Sequence, residues 1–468
     1  MSLAVLGAVV AGAASCTVVL GDDFSVAGDE LACTAGQIAC ADGATLLLCP
    51  DGTPVTEACP GVAPVCESGA CVACTAGTTQ CSGRDVQSCV NGAWTTTETC
   101  AIDCEAAACL RVTDIGAGVA HTCAVLSNGT VRCWGYDKLA LLFLDGLTDP
   151  PEPDSFTTTP TPVPDLANAV AVDGGDAHSC ALTSANTVVC WGWNGIGQLG
   201  TGNFADATSP VTVPLGTGAT AMTVAVGHTC AVLDNGNVAC WGLNETGQIG
   251  NGQSGSGSFV SSPFELWLGF PAAKVSAQNG HTCATISTAE MACWGSNDNG
   301  QLGVAGTTLS TTPLGVLGEG VTVMGTGEDH TCGEDLNGFY CWGRNTYGQV
   351  GVGVAGADVQ TPAPVSAVSG IRHIEGGAHH TCAVGSNGEL WCWGDDSLGA
   401  VGIGNGGNVT SPELLAALPP VTDVATGTNH TCALAESGEV YCWGFNNRGQ
   451  LGTGDVATYV VPSLVQWH

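Results

Sequence analysis

The sequence predicts an all-β chain: a seven-bladed β-propeller preceded by a small disulfide-rich N-terminal region. Three observations predict it. A stretch typified by His228 to Gly250, read H-T-C-A-V-L-D-N-G-N-V-A-C-W-G-L-N-E-T-G-Q-I-G, occurs seven times, starting at His121, His178, His228, His281, His330, His380 and His430. A repeat of 49 to 57 residues means stacked supersecondary units. Each unit holds about four short β-prone pieces and no helical period, the pattern of a propeller blade. The third observation is the cysteine count of 27, too many for a reducing cytosol.

Composition bounds the partners. Of 468 residues, 42 are acidic and 8 basic, a formal charge of -34. That balance argues against nucleic acid or an anionic membrane surface as a direct partner. The chain is 44% hydrophobic with regular turns, so a sizeable core can form.

Residues 1–15 are apolar and small, and read as a signal-peptide core rather than a membrane span. Ala13-Ala14-Ser15-Cys16 resembles the lipobox of bacterial lipoproteins, which implies lipidation of Cys16 as the new N-terminus. Ala13 stands where that motif usually has Leu, and no Lys or Arg precedes the apolar run. The expected location is exported, at a bacterial outer membrane or cell surface, lipid-anchored or secreted. Residues 16–32 carry Asp22, Asp23, Asp29 and Glu30 and suit an acidic tether.

Residues 33–109 form two modules, 33–71 and 74–109. Cys33-Thr-Ala-Gly-x-x-x-Cys40 is echoed by Cys74-Thr-Ala-Gly-x-x-x-Cys81, and each module has six cysteines. Modules this small need staples, so three disulfides each are expected; six cysteines allow fifteen pairings and the sequence does not choose. Cys71-Val-Ala-Cys74 has the spacing of a zinc or redox pair, but it joins two modules in a region without histidine.

From 110 to 468 the seven repeats follow. In each, Asp/Asn-Gly-type residues separate two apolar runs, and the flanking cysteines are symmetric about the turn. A hairpin with a three-residue loop fits, with Gly129, Gly236, Gly388 or Gly438 at the left-handed position. Asn186 tolerates that position and Ala289 departs from it. Repeat five is one residue shorter, and a two-residue Asn337-Gly338 turn would keep its cysteines opposed. The register pairs Cys123–Cys133, Cys180–Cys190, Cys230–Cys240, Cys283–Cys293, Cys332–Cys341, Cys382–Cys392 and Cys432–Cys442. It also sets Thr229 against Trp241 and His228 against Gly242. The C-terminal Pro462-Ser-Leu-Val465 is expected to join the blade begun by residues 110–118 and so close the ring.

Gly-x-x-His-Thr-x-Ala-Leu/Val followed by Gly-x-Val-x-x-Trp-Gly-x-Asn-x-x-Gly-Gln-Leu-Gly resembles the regulator of chromosome condensation repeat family. The resemblance covers residues 110–468 and implies a seven-bladed propeller. The Gly-x-Asn tail starts at Gly192, Gly242, Gly295, Gly343 and Gly444, is altered after Gly394, and is lost after Gly135 ahead of a Pro- and acid-rich insertion, 145–165.

The chemistry-bearing side chains read mainly as structure. Seven histidines spread around a ring are too far apart for shared coordination, and each is expected to be a buried imidazole bonded to backbone. The seven Cys-Trp-Gly tryptophans read as inter-blade core. No nucleophile elbow, phosphate loop or paired-carboxylate motif is present, so no enzyme activity, metal or cofactor is expected. The resemblance implies functions as different as nuclear GTPase exchange, a lyase and a secreted enzyme inhibitor; an exported chain does not meet a nuclear GTPase. The expected role is cell-surface binding or scaffolding of an unknown protein or glycan, by a monomer held to the membrane only through Cys16. Inhibition or regulation of an extracytoplasmic enzyme is the alternative, and a polysaccharide lyase fits poorly with eight basic residues. The candidate contacts are the large, variable residues of the Gly-x-Asn loops: Tyr136, Trp193, Arg344, Tyr347, Phe445 and Arg448.

Overall fold

The computed structural model describes residues 78–137 and 155–468, apart from 83, 92 and 319, and N-terminal to these the backbone strands between Ser25 and Val72. The leader of residues 1–15, the lipidation candidate Cys16 and the first part of the 145–165 insertion lie outside the described residues. The chain divides into two compact units, Met1–Leu110 and Arg111–His468.

The second unit is seven four-stranded antiparallel sheets, each built from four consecutive strands. Blade one comprises Val112–Ala117, His121–Leu126, Val131–Asp137 and Ser155–Pro162. Blade seven comprises Val421–Thr426, His430–Ala435, Val440–Gly444 and Tyr459–Leu464. The C-terminal strand therefore does not join blade one, contrary to the sequence expectation. It pairs with its own hairpin, Tyr441 opposite Leu464 and Gly444 opposite Tyr459. Blade one needs no fourth strand from the C-terminus, because Ser155–Pro162 already fills that edge. The ring closes by contacts across the junction: the Trp467 ring meets Trp134 of blade one edge-on at 5.9 Å, and the Gly454 N–H donates to the Thr158 carbonyl at 2.9 Å.

The central hairpin follows from its residues. Cys230 faces Cys240, Thr229 faces Trp241 and His228 faces Gly242, and the same rungs recur in every blade. All seven cysteine pairs are bonded, with Cα atoms 4.0 to 4.2 Å apart. Gly242 is obligatory: its φ is +104° and a Cβ there would sit 2.5 Å from the Gly227 carbonyl. The turns take the left-handed residue expected of a three-residue loop. Ala289 holds it too, at φ 60°, at a steric cost of roughly 1–2 kcal/mol. In repeat five the two-residue loop is Leu336-Asn337 rather than Asn337-Gly338, because Asp335 pairs with Gly338. Asp335 Oδ1 accepts the Asn337 and Gly338 N–H groups at 2.7 and 3.2 Å, so a side chain supports the turn.

The core lies between blades. The seven repeat tryptophans and fourteen hairpin cysteines are almost completely buried. The disulfide of one blade shares a cluster with the tryptophan of the next: Cys123 and Cys133 with Trp191, Cys180 and Cys190 with Trp241, Cys230 and Cys240 with Trp294.

In the first unit, Thr79–Ser82, Asp85–Val90 and Ala93–Thr99 form a three-stranded sheet, and Cys104–Glu105 pairs with Ala108–Cys109. The same order appears upstream: Ile38–Asp42, Thr45–Leu48 and Val55–Ala58 form one sheet, Val65–Glu67 and Ala70–Val72 another. Cys81 is bonded to Cys104 and Cys100 to Cys109. The shared strand order carries that pairing to the first module. A non-reducing peptide map should show Cys40–Cys66 and Cys59–Cys71 beside the two observed bonds, and linkage between modules at these cysteines would contradict the repeat.

Candidate functional site

The repeat histidines hold the blades together. The Nε2 atom of each lies 2.7 to 3.0 Å from the hydroxyl of the residue after the next blade's histidine: His121 to Ser179, His178 to Thr229, His228 to Thr282, His281 to Thr331, His330 to Thr381, His380 to Thr431 and His430 to Thr122. The seventh bond returns to blade one, so the chain of contacts is circular. The partner is a neighbouring hydroxyl, not the backbone the sequence suggested. Six of those hydroxyls also donate to a main-chain carbonyl of the preceding blade, as Thr229 does to Gln198 at 3.1 Å and Thr431 to Ala400 at 2.8 Å. The hydroxyl hydrogen being used, Nε2 must carry the imidazole proton. The repeat tryptophan donates to the same carbonyl, Trp241 to Gln198 at 2.8 Å. Burial depresses these imidazoles to about 3, and His121 to about 4, so they are neutral.

The connections between first and second and between third and fourth strands share one face. The third-to-fourth loop is organised by its buried Asn, whose Oδ1 accepts the N–H five residues on: Leu199 from Asn194 and Ile249 from Asn244, both at 3.0 Å. In the altered blade six, Asp396 takes this place and accepts N–H groups from Val401, Gly402, Asn405 and Gly406.

All six candidate contacts sit in or beside these loops and are half-buried. Four enter ring or charge pairs, Arg448 and Tyr136 with each other. Arg448 lies 4.8 Å from the centroid of the Tyr136 ring, across the junction of blades seven and one. Arg344 Nη1 is 3.2 Å from Asp329, and the nearby Tyr347 ring stacks on His379 with centroids 4.7 Å apart. Burial and the Asp329 charge raise the Glu328 carboxyl; burial also raises Asp329, against the pull of Arg344. Trp193 lies over Gly195, where a Cβ would come within 2.5 Å of the indole. Phe445 belongs to none of these pairs.

The sequence reading missed a third group. The first strand of every blade lines the ring axis, and its residues seven and five places before the repeat histidine project inward. Several cap the unpaired edge of the next blade's first strand. Asp114 accepts the Val172 N–H at 2.8 Å, Asp173 the Val224 N–H at 2.7 Å, and Ser276 the Thr326 N–H at 3.1 Å. In blade six, His373 Nε2 lies 3.3 Å from both Glu375 and Asp423 of blade seven. Together these residues border a cavity of about 150 Å³. Removal from bulk water, then the Glu375 charge, lifts Asp173 to about 8. Asp114 and Asp423 are raised too, chiefly by burial. Burial opposes protonation of His373, but the Asp423 and Glu375 charges outweigh it and raise the imidazole to about 9. The available signal was a polar residue at alternate positions of otherwise apolar strands, V-T-D114-I and I-R-H373-I-E375. Among the described residues no three His, Cys, Asp or Glu side chains are grouped to hold a metal ion.

These shifts set a pH profile. The seven repeat histidines take up protons only on unfolding, so their contribution is complete above about 6.5 and is lost as pH falls toward 3–4. His373 has the opposite sign: its contribution is complete below about 6.5 and is lost as pH rises through 9. Asp173, with a raised pKa, also loses its contribution as pH rises from about 4 to 8. Seven histidines outweigh the few acids on the acidic side. Guanidinium midpoints should therefore peak near about pH 6.5 and fall on both sides. Glu375→Gln with Asp423→Asn should flatten the alkaline limb and leave the acid limb.

Two profiles of the regulator of chromosome condensation (RCC1) repeat match, one over residues 112–138, 169–198, 226–248, 371–400 and 421–450, the other over 186–233, 338–384, 387–434 and 437–467. The chain is 32% identical over 303 residues to the ultraviolet-B receptor UVR8 of Arabidopsis thaliana, covering 63% of this chain and 68% of the receptor. It is 31% identical over 136 residues to the E3 ubiquitin-protein ligase HERC2 of Homo sapiens, covering 26% of this chain and only 3% of that protein. Among solved structures, Prp20p of Saccharomyces cerevisiae superposes with a TM-score of 0.61 at 23% identity, covering 72% of this chain and 86% of Prp20p. Human WBSCR16 does so with a TM-score of 0.62 at 22% identity, covering 70% and 87%. With seven blades built on one His-Thr-Cys to Cys-Trp-Gly hairpin, the chain belongs to the regulator of chromosome condensation repeat family.

Proposed function

We propose that this protein is an exported scaffold, anchored through a lipid on Cys16, whose propeller binds a protein partner on the loop face that carries Tyr136, Trp193, Arg344, Tyr347, Phe445 and Arg448. One observation carries the reading. The chain has eight basic residues in all, and two of them, Arg344 and Arg448, lie on this one face, Arg448 over the Tyr136 ring and Arg344 against Asp329. Arginine and tyrosine beside each other in half-buried positions are the residue types that dominate interface energetics.

The relatives support the class of activity without supplying the partner. The Prp20p structure is described with that protein's binding to Gsp1p and histones, and a second structure shows Kap60 bound to yeast RCC1 (Prp20). What transfers is the use of a propeller as a protein-binding surface. The nuclear partners do not transfer, because seven buried hairpin disulfides suit an oxidising compartment. A -34 charge likewise disfavours any polyanionic ligand.

The full chain, cross-linked at the surface of the producing cell, should capture a partner. Arg344→Ala with Tyr347→Ala, or Tyr136→Ala with Arg448→Ala, should weaken that capture at least tenfold. Asn235→Ala with Asn237→Ala, in the turn on the opposite face, should not. The reverse pattern would move the site to that face, and capture of glycan alone would replace a protein partner with a saccharide. For the anchor, Cys16→Ser should shift the protein from the membrane fraction to the soluble one; retention would exclude lipidation as the tether.

A further inference from the structure

We infer that the axial cavity of the ring is a binding site for a short aliphatic diamine, a function separate from the loop face. Four carboxylates from four blades border it: Asp114, Asp173, Glu375 and Asp423. Only one cation among the lining residues, the His373 imidazolium, stands against them. Fully ionised, the group would carry three uncompensated negative charges; burial first, and the neighbouring carboxylates after it, raise Asp114, Asp173 and Asp423. Two ammonium groups would relieve most of that charge.

A second observation points to a ligand. Thr426 also lines the cavity, is 4% exposed, and its hydroxyl has no hydrogen-bond partner. Its counterpart two blades earlier, Thr326 of blade five, bonds the Ser276 hydroxyl of blade four at 2.9 Å. The residue of blade six in the place of Ser276 is Glu375, and the Thr426 hydroxyl does not bond it. Blades six and seven thus leave an unpartnered hydroxyl and a carboxylate on two residues that both line the cavity.

The walls and the volume select the ligand class. Ala171, Met222 and Ala425 place apolar surface between the acids, which suits methylene groups joining two charged ends. The cavity of about 150 Å³ has room for a four-carbon diamine. A chelated divalent metal suits the donors less well, since no three of these side chains are grouped around one point.

The test is calorimetric titration of the full chain with 1,4-diaminobutane, alongside n-butylamine and sodium chloride at matched ionic strength. Saturable binding of the diamine is expected, at least tenfold tighter than the monoamine. Glu375→Gln with Asp423→Asn should weaken it at least tenfold. Ala171→Lys places a tethered ammonium on the channel wall; it should raise the thermal midpoint and block the diamine. The inference is overturned if no saturable heat appears, if monoamine and diamine bind alike, or if the diamine still binds these variants as it binds the parent. Arg344→Ala with Tyr347→Ala should leave diamine binding unchanged, so failure here leaves the loop-face reading standing, and the converse holds.

Discussion

The hydroxyl that follows each repeat histidine is the point on which the ring depends. It accepts the Nε2–H of the preceding blade's histidine and donates to that blade's Gln or Ala carbonyl, while its cross-strand neighbour, the tryptophan, donates to the same carbonyl. In blade three these are Thr229 with His178, Gln198 and Trp241. One rung of one hairpin therefore grips two separate segments of the blade before it. Each group is buried and each bond uses a donor or acceptor that would otherwise be stranded. Loss of one hydroxyl would leave a buried N–H unpaired, a cost of about 1–3 kcal/mol. A four-stranded sheet has apolar surface on both faces and no reason to stop at one neighbour. The grip sets the spacing between blades, and the seventh one, His430 to Thr122, completes the circle.

The first junction shows what happens when one part of the grip is missing. Blade one lacks the Gly-Gln-Leu-Gly tail in its sequence, and no counterpart of the Gln carbonyl is found among the described residues. Blade two is also the one with serine in the hydroxyl position. Ser179 keeps its bond to His121, and Trp191 is the repeat tryptophan whose Nε1 finds no acceptor among the described residues. The serine loses a methyl and keeps the hydroxyl, which is the part the histidine requires. The junction is held in addition by Asp114 on the Val172 N–H and by the Val119 N–H on the Gly175 carbonyl at 3.0 Å. Blade six varies in the opposite way: Gln becomes Ala400, and nothing is lost, because the bond uses the main chain and not the side chain.

These cases mark what was legible in the sequence. The hairpin register was readable because Cys, Thr and His sit at fixed distances from a turn, and a strand pairing is a local count. The fold followed from seven repetitions of it. The partner of each histidine was not readable, since it lies some fifty residues away in a blade whose placement only ring closure decides. The axial acids failed for the same reason: Asp114, Asp173, Glu375 and Asp423 are isolated in the sequence and meet only around the axis. The destination of the last strand was misread because its motif resembles the segment leading into a next repeat, whereas the free edge of Val440–Gly444 is the nearest one available to it. The loop-face residues were picked out by variability and size, and the fold sets Arg448 over Tyr136, Arg344 against Asp329 and Tyr347 on His379.

The chain thus separates construction from recognition by position within the repeat. Positions that recur, the His, Thr, Cys, Trp and the Asn of the loop, are buried and bond the neighbouring blade or their own loop, although Nδ1 of five repeat histidines and Nε1 of Trp191 find no partner among the described residues. A residue so engaged cannot be altered to suit a ligand without opening a junction. Two sets of positions vary: the inward residues of the first strands, some of which also cap the next blade's edge, and the variable residues of the third-to-fourth loops. Both differ from blade to blade, and both point to solvent-accessible space, one to the axis and one to the face. The seven repeat imidazoles are neutral and add no charge to the interior, where the carboxyl groups of Glu334 and Asp396 are buried. Any ligand that this protein distinguishes by charge must therefore approach one of those two surfaces, and because the blades are fixed by the grip, changing a residue on one of them leaves the geometry of the other intact.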